Sequence, residues 1–122
     1  MSAPKKLLIV DDSKVSRMVI RARVKQLHPD WDIIEATHGE ESIALAQQHC
    51  PDFCTMDINM PGMPGTQAAE QILKTVPHIR LVIFTANIQS SFRERASALG
   101  VAFVAKPVTE KSIFETLAYF QE

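Results

Sequence analysis

The chain predicts an α/β fold: a doubly wound, five-stranded parallel sheet with helices on both faces. Two observations predict it. Five short apolar runs recur along the 122 residues, each about one strand long. Most lack polar alternation, as strands covered on both faces should. Amphipathic stretches with helical spacing separate the runs, and such alternation gives right-handed crossovers and a parallel sheet. No linker, repeat or low-complexity segment interrupts the pattern, so residues 1–122 are expected to form a single domain.

The strands are read at Lys6–Asp11 (KLLIVD), Trp31–Ala36 (WDIIEA), Asp52–Asp57 (DFCTMD), Arg80–Thr85 (RLVIFT) and Val101–Ala105 (VAFVA). WDIIEA is the most polar, which places it at a sheet edge. The first helix follows from Val15, Met18, Val19 and Ala22, whose i, i+3, i+4, i+7 spacing gives one face, expected to lie on the sheet. Asp12 or Ser13 is positioned to cap it. Gly39-Glu40-Glu41 opens a second helix, marked by Ile43, Ala46 and Gln47. Ala68 to Val76 is a third, stopped by Pro77. Ser91 and Glu94 have capping-box spacing and open a fourth, with Phe92, Ala96 and Leu99 on one face before Gly100 ends it. Thr109 caps a fifth, on which Ile113, Leu117 and Phe120 form a stripe. Phe92 and Phe120 are read as core.

Hydrophobic residues make up 46% of the chain and charged ones 22%, a globular composition rather than a disordered or membrane one. A formal net charge of −1 offers no attraction to nucleic acid or anionic lipid. The apolar run Leu7–Val10 is far too short for a signal peptide or a span, so a cytoplasmic location is expected. Cys50 and Cys54, even with His38 and His49, match no common zinc spacing, and both thiols are expected to be reduced and mostly buried.

Ligands of doubly wound sheets collect at the carboxyl ends of the strands. There the chain places Asp11-Asp12 after strand 1, Asp57 at strand 3, Thr85-Ala86-Asn87 at strand 4 and Lys106-Pro107 after strand 5. Three crowded carboxylates repel one another, and one ammonium does not offset them. Such an all-oxygen site asks for a divalent cation, Mg2+ or, as a substitute, Mn2+. A cation, a lysine and a hydroxyl together suit the three oxygens of a phosphoryl group. A carboxylate can serve as its nucleophile and acceptor.

In order and spacing, Asp11-Asp12, MDINMPGMPG around Asp57, Thr85-Ala86 and Lys106-Pro107 resemble the CheY-like receiver domain of two-component response regulators. The resemblance covers nearly the whole chain and implies the flavodoxin-like strand order 2-1-3-4-5. It implies that Asp57 is the phosphoacceptor, that Asp12, Asp57 and the Asn59 backbone carbonyl ligate Mg2+, and that Asp11 acts mainly through water. Lys106 would pair with the acceptor and then with the phosphoryl group. The Thr85 hydroxyl would swing to the new phosphoryl oxygen, with Phe103 turning inward as the switch aromatic. A cis Lys106-Pro107 bond would aim the lysine. Asn59 and Asn87, each two residues beyond a site residue, are expected to set the phosphoryl lifetime.

Some positions depart from the family's commonest pattern. Pro64 stands where an Asp or Asn often caps the third helix, Cys54 and Thr55 replace bulkier aliphatics, and Phe103 replaces a tyrosine. The implied function is a phosphorylation-activated switch rather than an enzyme. A histidine kinase or phosphotransfer protein would phosphorylate it, and the face of the fourth helix, fifth strand and fifth helix would control a downstream protein or output domain. A stand-alone regulator, as in chemotaxis or a phosphorelay, is preferred over a receiver cut from a longer protein, either monomeric or dimerising on phosphorylation. The alternative is a Mg2+-dependent phosphohydrolase with an Asp nucleophile. Such an enzyme needs a general acid two residues after the nucleophile, where this chain has Asn59. A nucleotide-binding module is disfavoured because DDSK follows strand 1 in place of a glycine-rich cradle.

Overall fold

The computed structural model describes residues 5–58, 60–85, 94, 98–106 and 108–121. Along them run β1 (Lys6–Val10), α1 (Lys14–Leu27), β2 (Asp32–Ala36), α2 (Gly39–His49) and β3 (Phe53–Asp57), then α3 (Gly65–Thr75), β4 (Arg80–Thr85), β5 (Ala102–Ala105) and α4 (Glu110–Phe120). The strands are parallel in the order β2-β1-β3-β4-β5, and each expected strand is recovered to within one residue at either end. WDIIEA, the most polar run, provides the edge strand β2. The helix expected after β4 falls mostly outside the described residues, as do Ser91 and Phe92; Ala98 and Leu99 are helical.

Successive residues of a strand face opposite sides, so one apolar run feeds two cores. Leu8, Val10, Cys54, Met56, Leu81 and Ile83 meet Ala46 of α2 and Ala68 and Ile72 of α3 on one side. Leu7, Ile9, Phe53, Val82 and Phe84 meet Ile20 and Val24 of α1 and Ile113, Leu117 and Phe120 of α4 on the other. Helices therefore cover both faces. At the end of the sheet where the strands begin, His28 stacks on Trp31 at 4.2 Å between centroids, and Phe53 on Phe120 at 4.6 Å. Each buried large side chain contributes on the order of 1.5–3 kcal/mol.

One expected face is wrong. Val15, Met18 and Val19 are 69%, 56% and 42% exposed, and Ala22 is exposed too. The inner stripe of α1 is Arg17, Ile20 and Val24, with Arg17 held at the sheet edge by Glu35 of β2. A charged residue thus occupies an inner position, which hid the true face from an apolar periodicity.

Ser13, not Asp12, caps α1 by accepting from the Ser16 N–H, and Thr109 forms a capping box with Ser112 at α4. His38 caps α2, its ring nitrogen accepting from the Glu41 N–H. α3 begins at Gly65, three residues before the expected Ala68, with Pro64 at its N-cap and no side-chain cap bond. Of the two free cysteines, Cys54 is buried as expected and Cys50 is exposed at the left-handed cap of α2. Burial pushes the Cys54 thiol far above the ordinary range, so it stays protonated.

Among the described residues, Thr55 Oγ1 is the buried side-chain polar atom without a hydrogen-bond partner. It borders a cavity of about 10 Å³ lined with Ile20, Phe84 and Leu117. Thr55→Val keeps the shape and removes the orphaned hydroxyl, and is expected to stabilise the fold by about 1–2 kcal/mol, read as a higher urea midpoint at unchanged slope.

Candidate functional site

Parallel register brings the strand ends level. Val10 pairs with Met56, Asp57 with Phe84, and Thr85 with Ala105. Asp11, Asp57, Thr85 and Lys106 therefore line one rim across β1, β3, β4 and β5. Asp11 and Asp57 are buried, while Asp12 is exposed. One carboxylate oxygen from each of the three acids lies within 4.8 Å of the other two.

Lys106 bridges the buried pair. Its Nζ donates to Asp11 Oδ2 at 3.0 Å and stands 3.4 Å from Asp57 Oδ1. Burial alone would lower the pKa of this ammonium. The hydrogen bond to Asp11 and the fields of Asp57 and Asp11 outweigh that effect and hold it above its ordinary value. A raised lysine contributes its stability at all pH below the ordinary lysine range and loses it only as pH climbs through the raised value. The cation is therefore fully present at neutral pH.

Every polar group of Asp11 is tied. Its N–H donates to the Ala36 carbonyl of β2, its Oδ1 accepts from the Ser13 N–H at 2.9 Å, and Oδ2 accepts from Lys106. Its carbonyl accepts from Arg17 Nη1 at 2.8 Å. Asp12 keeps its carboxylate at the mouth. Hard oxygen donors with one exposed member suit Mg2+, which takes few protein ligands and retains water.

The segment after Asp57 is anchored as well. The Ile58 N–H donates to the Phe84 carbonyl and the Gly65 N–H to the Ile58 carbonyl, both at 3.2 Å. Gly62 and Gly65 of the MDINMPGMPG segment act differently. Gly62 has φ of 81°, a left-handed turn position. Gly65 is there for space: a Cβ would lie 2.1 Å from the Asp57 carbonyl oxygen. The first turn of α3 thus presses directly on the backbone of Asp57.

Phe103 is half-buried on β5 and packs against the α2/α3-side core. Thr85 ends β4, one strand from Asp57. Asn59, Ala86, Asn87 and Pro107 lie outside the described residues. Sequence reasoning missed Arg17 and the tight packing at Gly65. Only the adjacency of β2 to β1 brings Glu35 to Arg17 and shows why this side chain turns inward, and a glycine at a helix start shows no sign of what it faces.

The chain matches the profile of the response regulator receiver domain over residues 7–118. It is 31% identical to the chemotaxis protein CheY of Thermotoga maritima, over 93% of this chain and 94% of that protein. A protein-glutamate methylesterase/protein-glutamine glutaminase of Methanospirillum hungatei is 38% identical over 79% of this chain, a match spanning 29% of that protein. The REC domain of AraT, a response regulator from Geobacillus stearothermophilus, matches with a TM-score of 0.85 at 27% identity, covering 96% of this chain and 92% of that one.

Replacing Lys106 with methionine strands two buried carboxylates. The expected loss at neutral pH falls below the roughly 3–5 kcal/mol of a fully buried pair, because the rim is partly open. The loss is read as a lower urea midpoint at neutral pH, and an unchanged midpoint would contradict the bridge. Gly65→Ala should cost about 1–3 kcal/mol through overpacking against the Asp57 carbonyl, seen as a lower melting temperature.

Proposed function

We propose that this chain, which belongs to the response regulator receiver family, is a phosphorylation-controlled signalling switch whose acceptor is Asp57. The observation that carries the reading is the Lys106 ammonium held between buried Asp57 and Asp11, beside a third carboxylate at the mouth. A buried acid with a charged partner and an open neighbour is arranged for chemistry, since packing alone gives no reason for it.

In this reading an Asp57 carboxylate oxygen attacks the phosphorus of a phosphohistidine on a histidine kinase or phosphotransfer protein. The P–N bond breaks, its electron pair returns to the imidazole, and a mixed carboxylic–phosphoric anhydride remains on Asp57. Lys106 stays protonated throughout, offering its N–H groups to the phosphoryl oxygens, and Asp11 keeps it aimed there. Asp12, Asp57 and the Asn59 carbonyl would hold Mg2+, or Mn2+ in its place, with Asp11 acting through water. When bound, the cation neutralises charge on the phosphoryl oxygens.

Thr85 and Phe103 carry the change outward in this account. The Thr85 hydroxyl follows the new phosphoryl oxygen, and Phe103 turns inward from β5, altering the face of β5, α4 and the helix expected after β4. A downstream protein or output domain reads that face, and dimerisation on phosphorylation is one form the reading can take. Two-component signalling of this kind places the chain in the cytoplasm. Asn59 and Asn87 govern water access and so the phosphoryl lifetime.

Acetyl phosphate with Mg2+ is expected to add one phosphoryl unit to the wild-type mass, and EDTA or Asp57→Asn to abolish the gain. No gain, or one that survives Asp57→Asn, contradicts the reading. On the phosphorylated protein, Asn59→Ala and Asn87→Ala should each change the decay rate several-fold; unchanged rates refute the lifetime role.

A further inference from the structure

We propose that Arg17 is a positioning residue for the cation-binding acids, fixing the peptide from which Asp12 projects; this rests on the Mg2+ site of the preceding reading. Arg17 lies on the inner stripe of α1 with its side chain only 14% exposed. Its Nη1 donates to the Asp11 carbonyl at 2.8 Å, while its Nε donates to Glu35 Oε1 at 3.1 Å. Arg21 takes the other oxygen of Glu35 at 3.2 Å. Edge strand β2, helix α1 and the end of β1 are thereby joined through one guanidinium.

An ion pair at a sheet edge contributes little to stability by itself. What distinguishes Arg17 is the third group it holds. The Asp11 carbonyl and the Asp12 N–H belong to one planar peptide unit. Anchoring the carbonyl fixes the plane and hence the direction in which Asp12 leaves β1. That direction is contested, because the Asp12 carboxylate lies within 4.8 Å of two others that repel it. Asp12 is exposed, so no surrounding core holds it in place. Arg17 supplies the restraint from behind, and the planar fork of arginine can grip a carbonyl and a carboxylate in fixed relative positions where a lysine cannot.

Charge and geometry predict opposite effects on cation binding. As a bare positive charge near the acids, Arg17 opposes a divalent cation, so its removal would tighten binding. As a clamp it favours the cation, so its removal weakens binding. Arg17→Lys keeps the charge and loses the fork; Arg17→Met keeps the stem and loses both charge and fork.

The test is calorimetric titration of Mg2+ into the full chain at fixed ionic strength, with far-UV circular dichroism confirming the fold. Saturable binding to wild type is the premise, and its absence would overturn the Mg2+ reading itself. Given wild-type binding, both variants are expected to bind about 10-fold more weakly, as when a group that orients a metal ligand is lost. Wild-type affinity in Arg17→Lys, or tighter binding in Arg17→Met, overturns the clamp. Should Arg17→Met not fold, Arg17→Lys decides alone, since it retains the charge and most of the stem.

Discussion

Three carboxylates from two adjacent strands, within 4.8 Å of one another, are the constraint on which the rest of the structure depends. Like charges so close repel, most strongly between the two buried members. A flexible chain would let them part. Here Asp57 ends a strand buried along its whole length and Asp11 directly follows another, so separation would tear the sheet. Lys106, arriving from β5 at the far edge, offsets part of the repulsion by bridging the two buried acids. The remainder is what a divalent cation can relieve.

The frame around that cluster is built mainly from backbone. The Asp11 N–H pairs with β2, the Ile58 N–H with β4, and the first turn of α3 is seated on the Asp57 carbonyl because Gly65 has no side chain. Pro61 and Pro64 restrict the chain between them, and Gly62 makes the turn. Such a frame keeps the acids within reach of one ligand while leaving Asp12 open to solvent. Phe103 on β5 is only half-buried, leaving room for a rearrangement at this edge.

Much of this was legible in the sequence. The five strands stood out because parallel strands covered on both faces are continuously apolar, and the carboxyl ends then named Asp11, Asp12, Asp57, Thr85 and Lys106. Where the reading failed, the cause was physical. Val15, Met18, Val19 and Ala22 have ideal spacing for an inner face, yet they point outward because Arg17 is drawn inward to the Asp11 carbonyl and Glu35. That contact joins residues of three elements and exists only once β2 lies beside β1. The role of Gly65 was hidden because sequence shows missing side chains but not the atoms that would collide with them. Cys50 was expected to be mostly buried, although the left-handed helix end where it sits is exposed.

The central claim is that the bridged, buried acid at the end of β3, rather than either acid after β1, carries the phosphoryl group. Borohydride reduces an aspartyl phosphate to homoserine, so reduction after acetyl phosphate treatment, followed by peptide mass mapping, locates the acceptor. The account predicts homoserine at residue 57 alone, dependent on Mg2+. Homoserine at residue 11 or 12, or a phosphoryl group on a side chain outside the rim, would contradict it.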